Sequence, residues 1–130
     1  MATETKSVVR TDQAPGPFQG APYSQAIRVG GFVFVSGQLG LKLGDGEISG
    51  SIAEQTEQIF LNLRAILEEA GSGLDRLVKT TVYLRHLDDF QGMNEVYRKH
   101  VGDVPPARAT LEVSALPSGA LVEIDAVALA

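Results

Sequence analysis

The sequence predicts an α+β domain of about six strands and two helices. Two segments have apolar residues at helical spacing, and short β-branched or alternating runs lie before, between and after them. Of the 130 residues, 44% are hydrophobic and 21% are charged, which is typical of a globular protein of one domain. We therefore expect a single domain over residues 1–130, with both helices on one face of a sheet.

The two helices are the clearest elements of the sequence. In residues 51–71, Ser51 and Glu54 have the spacing of a capping box, and Gly71 stands where the helix would end. The apolar residues of this helix recur at helical spacing: Ile52, Ile59, Leu63, Ile66, Leu67 and Ala70. Residues 88–101 predict a second, shorter helix. Its apolar side consists of Phe90, Met93, Tyr97 and Val101.

Strands are predicted around these helices. A Gly-Gly pair at 30–31 separates two apolar runs and predicts a hairpin over residues 27–39. The stretch 12–25, which is rich in proline, and the glycine-rich stretch 42–50 are predicted loops. The remaining strands are expected at residues 7–11, 76–87, 107–114 and 120–129. Residues 1–12 either contain that short first strand or are flexible.

The predicted sheet has a second face that the helices do not cover. Val, Leu and Ile residues remain on that face, and a monomer would expose them as a large apolar patch. Such patches usually mark surfaces of association. We therefore expect a homo-oligomer, whose symmetry this pattern leaves open.

The charge balance bears on the choice of partner. The formal net charge is -5, the pI is about 4.9, and the 11 basic residues are scattered singly. Nucleic-acid binders usually have a basic stripe that displaces counterions from phosphates. The sequence therefore predicts no nucleic-acid partner and no acidic membrane surface, and it leaves an anionic small molecule as a possible ligand.

The residue types present also limit the chemistry and the location. The chain has no cysteine, which excludes disulfides and thiolate catalysis, and its two histidines make a multi-histidine metal site improbable. No apolar run approaches the roughly 20 residues that a membrane helix needs. The N-terminus lacks the apolar core of a secretory signal, so we expect a cytoplasmic protein.

The C-terminal third carries the residues with catalytic potential. Alternation along 107–114 places Arg108 on the face opposite to Ala109, and alternation along 120–129 places Glu123 and Asp125 together on one face. If the two strands pair through a turn at 115–120, Arg108 would approach a carboxylate. A guanidinium beside a carboxylate could hold a small organic acid and position a water. The alternative is an inert ion pair on a solvated sheet face, which is the commoner arrangement.

The order of several short motifs resembles that of the RidA (YjgF-type) reactive-intermediate deaminase family. The motifs are PYSQ, VSGQ, VKTTV, NEVY, PAR and VEI, and the resemblance covers residues 21–130. It implies a chorismate-mutase-like fold with a mixed sheet, and a homotrimer with three sites at subunit interfaces. It further implies hydrolysis of 2-imino acids such as 2-iminobutanoate and 2-iminopropanoate, or their enamine tautomers, to 2-oxo acids and ammonia. The family requires no metal or organic cofactor.

The same resemblance assigns roles to individual residues. The family's carboxylate-binding arginine corresponds to Arg108, and the acid that holds the attacking water corresponds to Glu123. Tyr23 corresponds to a tyrosine that closes the pocket, with a capped loop aromatic as the alternative. Ser36 and Asn94 correspond to polar positions that line the pocket. A strand-end hydroxyl is the alternative for Ser36, and helix packing or capping is the favoured one for Asn94.

Other residues near these motifs receive structural interpretations or depart from the family's pattern. Asp125 is expected to be scaffold. Both histidines, His86 and His100, are expected to be surface or capping residues. Many members have serine where this chain has Ala109, and glycine where it has Ala21. Some members carry a cysteine where this chain has Thr110, so thiol chemistry is excluded.

Two other functions remain possible on this sequence. The pocket could bind a 2-oxo acid as a sensor without catalysis. Endoribonuclease or translation-inhibitor activity is reported for some relatives, and the acidic balance argues against it.

Overall fold

The computed structural model describes residues 5–44, 46–48 and 50–130. It has a six-stranded sheet in the order β1-β2-β3-β6-β4-β5. The strands are β1 (Ser7–Val9), β2 (Ala26–Val29), β3 (Phe32–Leu39), β4 (Leu77–Leu84), β5 (Ala107–Glu112) and β6 (Val122–Leu129). The helices are α1 (Ile52–Glu69) and α2 (Phe90–His100). The sheet is mixed, because β4 and β5 pair in parallel while all other neighbours are antiparallel.

This architecture confirms the predicted α+β class and each predicted element, with ends that differ by a few residues. The first strand is present within 7–11, and residues 1–4 lie outside the described residues, as do 45 and 49 of the predicted loop at 42–50. In that loop Leu41 and Ile48 form an isolated antiparallel bridge. Within the described ranges, no helix is long and apolar enough to cross a membrane.

Local sequence explains the best-formed elements. Gly30 and Gly31 have φ of 60° and 82°, the left-handed values that a primed two-residue hairpin turn requires. The Ser51 hydroxyl accepts from the Glu54 amide at 3.1 Å, and the Glu54 carboxylate accepts from the Ser51 amide at 3.0 Å. This reciprocal capping satisfies donors at the start of α1, and the hydrogen bonds lower the pKa of the Glu54 carboxyl.

The hydrophobic core lies between the two helices and one face of the sheet. Side chains of α1 and α2 pack there against alternate residues of the three central strands β3, β6 and β4. Its fully buried members include Ile59, Phe60, Leu63, Ile66, Leu67, Val33, Val82, Val122, Ile124 and Met93. The helices therefore cover one sheet face, as predicted.

The opposite, open face of the sheet carries a different set of side chains. Along β6, Glu123, Asp125 and Val127 are half-buried and alternate with buried residues. The apolar side chains on this face that are at least 38% exposed include Val8, Phe32, Phe34, Leu111 and Leu129. The open face is thus apolar towards its edges, and at its centre it carries two carboxylates.

The predicted pairing of the last two strands is wrong. β6 lies between β3 and β4, while β5 pairs with β4 at the edge of the sheet, so β5 and β6 are not neighbours. The cause is the strand–helix–strand order of β4, α2 and β5, because a helical crossover brings two strands side by side in parallel. The turn at 115–120 therefore carries the chain from the edge strand to a central position.

Gln25 attaches the first loop to the sheet. Its side chain is buried, and its amide oxygen accepts from the Thr11 amide at 2.7 Å. Its amide nitrogen donates to the carbonyls of Thr11, Ala14 and Pro15 at 3.0, 3.3 and 3.0 Å. These bonds place residues 11–15 against the start of β2, and with them one wall of the cavity described below.

We expect Gln25→Ala to lower the free energy of unfolding by about 2 kcal/mol, because the buried Thr11 amide would lose its acceptor. Urea unfolding at one fixed protein concentration measures the change. Gln13→Ala is the matched control, since Gln13 is an exposed glutamine of the same segment. Equal stability of the two variants would contradict this assignment.

Candidate active site

A cavity of about 360 Å³ opens between the first loop and the end of β3. Its walls come from the loop before β2, from the bulged end of β3, from the turn before β6 and from β6 itself. The lining residues are Pro15, Gly16, Phe18, Ala21, Tyr23, Gln25, Ser36, Gly37, Gln38, Leu39, Leu41, Pro117 and Glu123. Three residues that the sequence predicted for a site, Tyr23, Ser36 and Glu123, thus share one cavity.

Glu123 is the titratable acid of this cavity. Burial raises the pKa of its carboxyl above the ordinary value, and the neighbouring charge of Asp125 raises it further. The carboxylate lies directly over the backbone of Gly37, where an added Cβ would stand 2.9 Å from the carboxyl carbon and overlap one oxygen. Glycine at this position therefore leaves the space that Glu123 occupies.

Tyr23 and Ser36 are both held by the backbone of the first loop. The Tyr23 hydroxyl accepts from the Phe18 amide at 2.5 Å, which fixes the ring across the loop. The Ser36 hydroxyl donates to the Ser24 carbonyl at 2.6 Å. Each side chain lines the cavity and also makes the local hydrogen bond expected of its structural alternative.

Arg108 lies elsewhere, on the helix side of the edge strand β5. Its guanidinium carbon is 4.7 Å from the centroid of the Tyr97 ring and 5.5 Å from that of Phe90. The Tyr97 hydroxyl is 2.7 Å from the hydroxyl of Thr80, the residue paired with Arg108 on β4. Two aromatic faces therefore support the half-buried cation. Within the described ranges, Arg108 has neither an ion pair nor a hydrogen bond from its side chain.

Asn94 belongs to the same side of the molecule as Arg108. It stands on α2 four residues after Phe90 and three before Tyr97, so it shares their stripe of the helix. Its side-chain oxygen is buried and has no hydrogen-bond partner in the part of the chain that the structure describes. Buried acceptors are usually satisfied, so this oxygen is available to a donor that arrives from outside the protomer.

The two groups of residues lie on opposite faces of the sheet. Arg108 pairs with Thr80, whose side chain is buried among the helices, whereas Glu123 pairs with Tyr83 on the open face. Their strands are separated by β4, or about 10 Å, and their positions differ by three residues, about another 10 Å along the strands. The close approach of Arg108 to a carboxylate across neighbouring strands, which the sequence suggested, does not occur within one protomer.

The remaining predicted residues have varied positions. Ala109 lies on the face opposite to Arg108, and Ala21 lines the cavity. His86 is exposed and makes no capping hydrogen bond through its side chain. The prediction for His100 is wrong, because its ring stacks 4.7 Å from the Phe60 ring and its Nε2 is 2.8 Å from the Glu57 carboxylate. It joins α2 to α1.

Several site residues were not found from the sequence. Gly37 and Gln25 shape the cavity, and Phe90 and Tyr97 support Arg108, although both aromatic residues had been predicted only as helix core. The glycine inside the VSGQ strand motif is a signal that could have indicated a close approach of another side chain at Gly37. Among the described residues there is no cluster of three or more His, Cys, Asp or Glu side chains that could hold a metal ion.

Comparison with known proteins defines the class. The profile of the family described as endoribonuclease L-PSP matches residues 11–130. A RutC family protein of Pyrococcus abyssi is 51% identical over 124 residues, which cover 95% of this chain and 96% of that protein. The chain therefore belongs to the endoribonuclease L-PSP family, which confirms the resemblance seen in its motifs.

Two further relatives carry more specific names. The human 2-iminobutanoate/2-iminopropanoate deaminase is 40% identical over 130 residues, covering 99% of this chain and 93% of the human protein. A solved structure of E. coli TdcF with bound serine is 33% identical, with a TM-score of 0.88, and covers 95% of this chain and 98% of TdcF.

Proposed function

We propose that this protein is a deaminase that hydrolyses 2-imino acids, or their enamine tautomers, to 2-oxo acids and ammonia. The observation that carries the proposal is the state of Arg108. It is a half-buried guanidinium that two aromatic rings support and that lacks an anionic partner within the described residues. A cation fixed in this way suits bidentate capture of a substrate carboxylate. The name of the human relative and the serine bound to TdcF agree with a small ligand that carries a carboxylate.

The site is proposed to form between copies of the chain in a homotrimer. Arg108 and Asn94 of one copy would face the cavity that contains Glu123, Tyr23 and Ser36 of another. Two observations support this: the two groups lie on opposite faces of the sheet, and the open face carries exposed apolar side chains. The homotrimer would thereby bury both the apolar surface and the site.

The proposed reaction begins when Arg108 holds the substrate carboxylate and so places C2 of the iminium beside a water at Glu123. The Glu123 carboxylate takes a proton from that water as its oxygen adds to C2, which gives a carbinolamine. Glu123 then returns the proton to the nitrogen, the C–N bond breaks, and ammonia leaves. Glu123, which is a carboxylate again, accepts the hydroxyl proton as the C=O bond forms, and this proton passes to the ammonia or to water. Positioning and acid–base help suffice for such a reaction, because these imines also hydrolyse without a catalyst.

A competition assay tests the proposal. An amino-acid oxidase generates 2-iminobutanoate or 2-iminopropanoate in the presence of semicarbazide, and the semicarbazone of the imine is followed. We expect the protein to lower the yield of trapped imine in proportion to its concentration, because hydrolysis competes with trapping. Heat-denatured protein is the control. If the native and denatured samples give the same yield with both imines, the deaminase proposal fails.

Two other functions are separated by further measurements. Binding of 2-oxobutanoate without turnover of either imine would favour a metabolite sensor. The description of the family favours RNA cleavage as a second candidate, which the net charge of -5 opposes. RNA cleavage that survives Arg108→Ala would support that candidate.

A further inference from the structure

Asp125 and Tyr83 form a pair beside Glu123 that the proposed reaction does not use. The Tyr83 hydroxyl donates to Oδ2 of Asp125 at 3.1 Å across strands β4 and β6. Asp125 stands two residues after Glu123 on the same face of β6, and Tyr83 is the residue of β4 directly opposite Glu123. All three side chains are half-buried on the open face.

We propose that Asp125 and Tyr83 are positioning residues for Glu123. The Tyr83 phenol holds the charged Asp125 carboxylate beside Glu123. Glu123 thereby retains the proton taken from water until it gives that proton to the departing nitrogen. This inference rests on the proposed deaminase function. The two acids of the strand thereby have separate roles, and Asp125, which the sequence suggested as scaffold, takes part through its charge.

Within one protomer, no described cation forms an ion pair with Glu123. In the proposed homotrimer, Arg108 of another copy would face the same cavity, and its charge acts in the opposite direction to that of Asp125. Lys79 lies on the open face of β4, two residues before Thr81, and Arg85 follows the end of the strand. Neither residue forms an ion pair with Glu123 or Asp125. From β3, the adjoining residues Ser36, Gly37 and Leu39 are uncharged. The first loop contributes Tyr23, whose hydroxyl accepts from the Phe18 amide. Among the described residues of the protomer, Asp125 is the residue whose charge raises the pKa of Glu123.

The electrostatic directions agree with this arrangement. Burial raises the pKa of Glu123, and the charge of Asp125 raises it further, since a like charge disfavours the second carboxylate. Burial also raises the pKa of the Tyr83 phenol, and so do its hydrogen bond to Asp125 and the charges of both acids. A phenol that stays protonated continues to donate to Asp125.

The test measures the titration of Glu123 directly. In protein with isotope-labelled glutamate, the carboxyl carbon of Glu123 is followed by NMR against pH, and Glu123→Gln identifies its signal. We expect Asp125→Asn to move the midpoint to lower pH, because the like charge that disfavours the Glu123 carboxylate is removed. The Tyr83 phenol, followed by ultraviolet absorbance, should ionise at lower pH in the same variant. Asp75→Asn, which removes an equal charge from the exposed turn before β4, should leave both midpoints unchanged.

The kinetic readout separates this inference from the proposed function. In an active enzyme, the acidic limb of the kcat/KM profile should move to lower pH together with the Glu123 midpoint. An unchanged Glu123 midpoint in Asp125→Asn overturns the inference, whether or not the protein is a deaminase. A shifted midpoint in a protein that leaves imines untouched supports the effect of Asp125 on Glu123 and refutes the deaminase function alone.

Discussion

Replacing Arg108 by alanine is expected to lower kcat/KM for imine hydrolysis by at least about 100-fold. The guanidinium is the only group proposed to hold the substrate carboxylate, and without it C2 has no fixed position beside the water. Arg108→Lys should recover little of the loss, because an ammonium neither forms a bidentate pair nor stacks as a plane on Tyr97 and Phe90. Steady-state rates of the purified variants, measured with the trapping assay, provide the comparison.

The control for Arg108 is Arg98→Ala, since Arg98 is an exposed arginine on α2. It should retain the wild-type rate. Near-equal rates for Arg108→Ala and wild type would exclude Arg108 as the anchor. Circular dichroism and the temperature of unfolding establish that each variant is folded.

Glu123→Gln is expected to lower kcat by about 100-fold or more while KM changes little. The amide has the size of the acid and fits over Gly37, but it neither takes a proton from water nor returns one to nitrogen. Glu95→Gln removes the same charge from the exposed side of α2 and serves as the control. A variant that loses only substrate affinity would show that Glu123 binds without acting as acid or base.

Mixing the two inactive variants distinguishes sites between copies from sites within one copy. If Arg108 and Glu123 of different copies form each site, co-expressed Arg108→Ala and Glu123→Gln chains will assemble some sites with both residues intact. Activity should then return above that of either variant alone. No recovery in assemblies shown by mass spectrometry to be mixed would contradict a site shared between copies.

Local sequence was sufficient for the elements and insufficient for part of their arrangement. The start of α1 is determined by the capping box of Ser51 and Glu54, and the turn between β2 and β3 by Gly30 and Gly31. Both depend on contacts between near neighbours in sequence, and both predictions are confirmed. The position of β5 depends on α2, which brings β5 beside β4 in parallel. A turn-like stretch at 115–120 suggested a hairpin. Turn residues do not distinguish a hairpin from a crossing to another strand, so this pairing was predicted wrongly.

The same holds for the site, where local sequence predicts the positions of single residues but not how those residues come together. Alternation along β5 and β6 placed Arg108 and Glu123 on defined faces of their own strands, but which face of the sheet each occupies depends on the pairing of both strands with β4. The pairing of Tyr83 with Asp125 and the support of Arg108 by Tyr97 join residues that are distant in sequence. Such contacts have no local pattern, so periodicity alone could not predict them.

The close approach of Glu123 to Gly37 has a genetic consequence. Every missense change in a glycine codon gives a residue with a Cβ, and a Cβ at position 37 would overlap the Glu123 carboxylate in its present position. Missense variation at this codon therefore disturbs the acid without altering its identity. The flexible end of Glu123 would then have to move away from its present position, or a shorter acid at position 123 would have to replace it, so substitutions at the two positions are expected to be correlated.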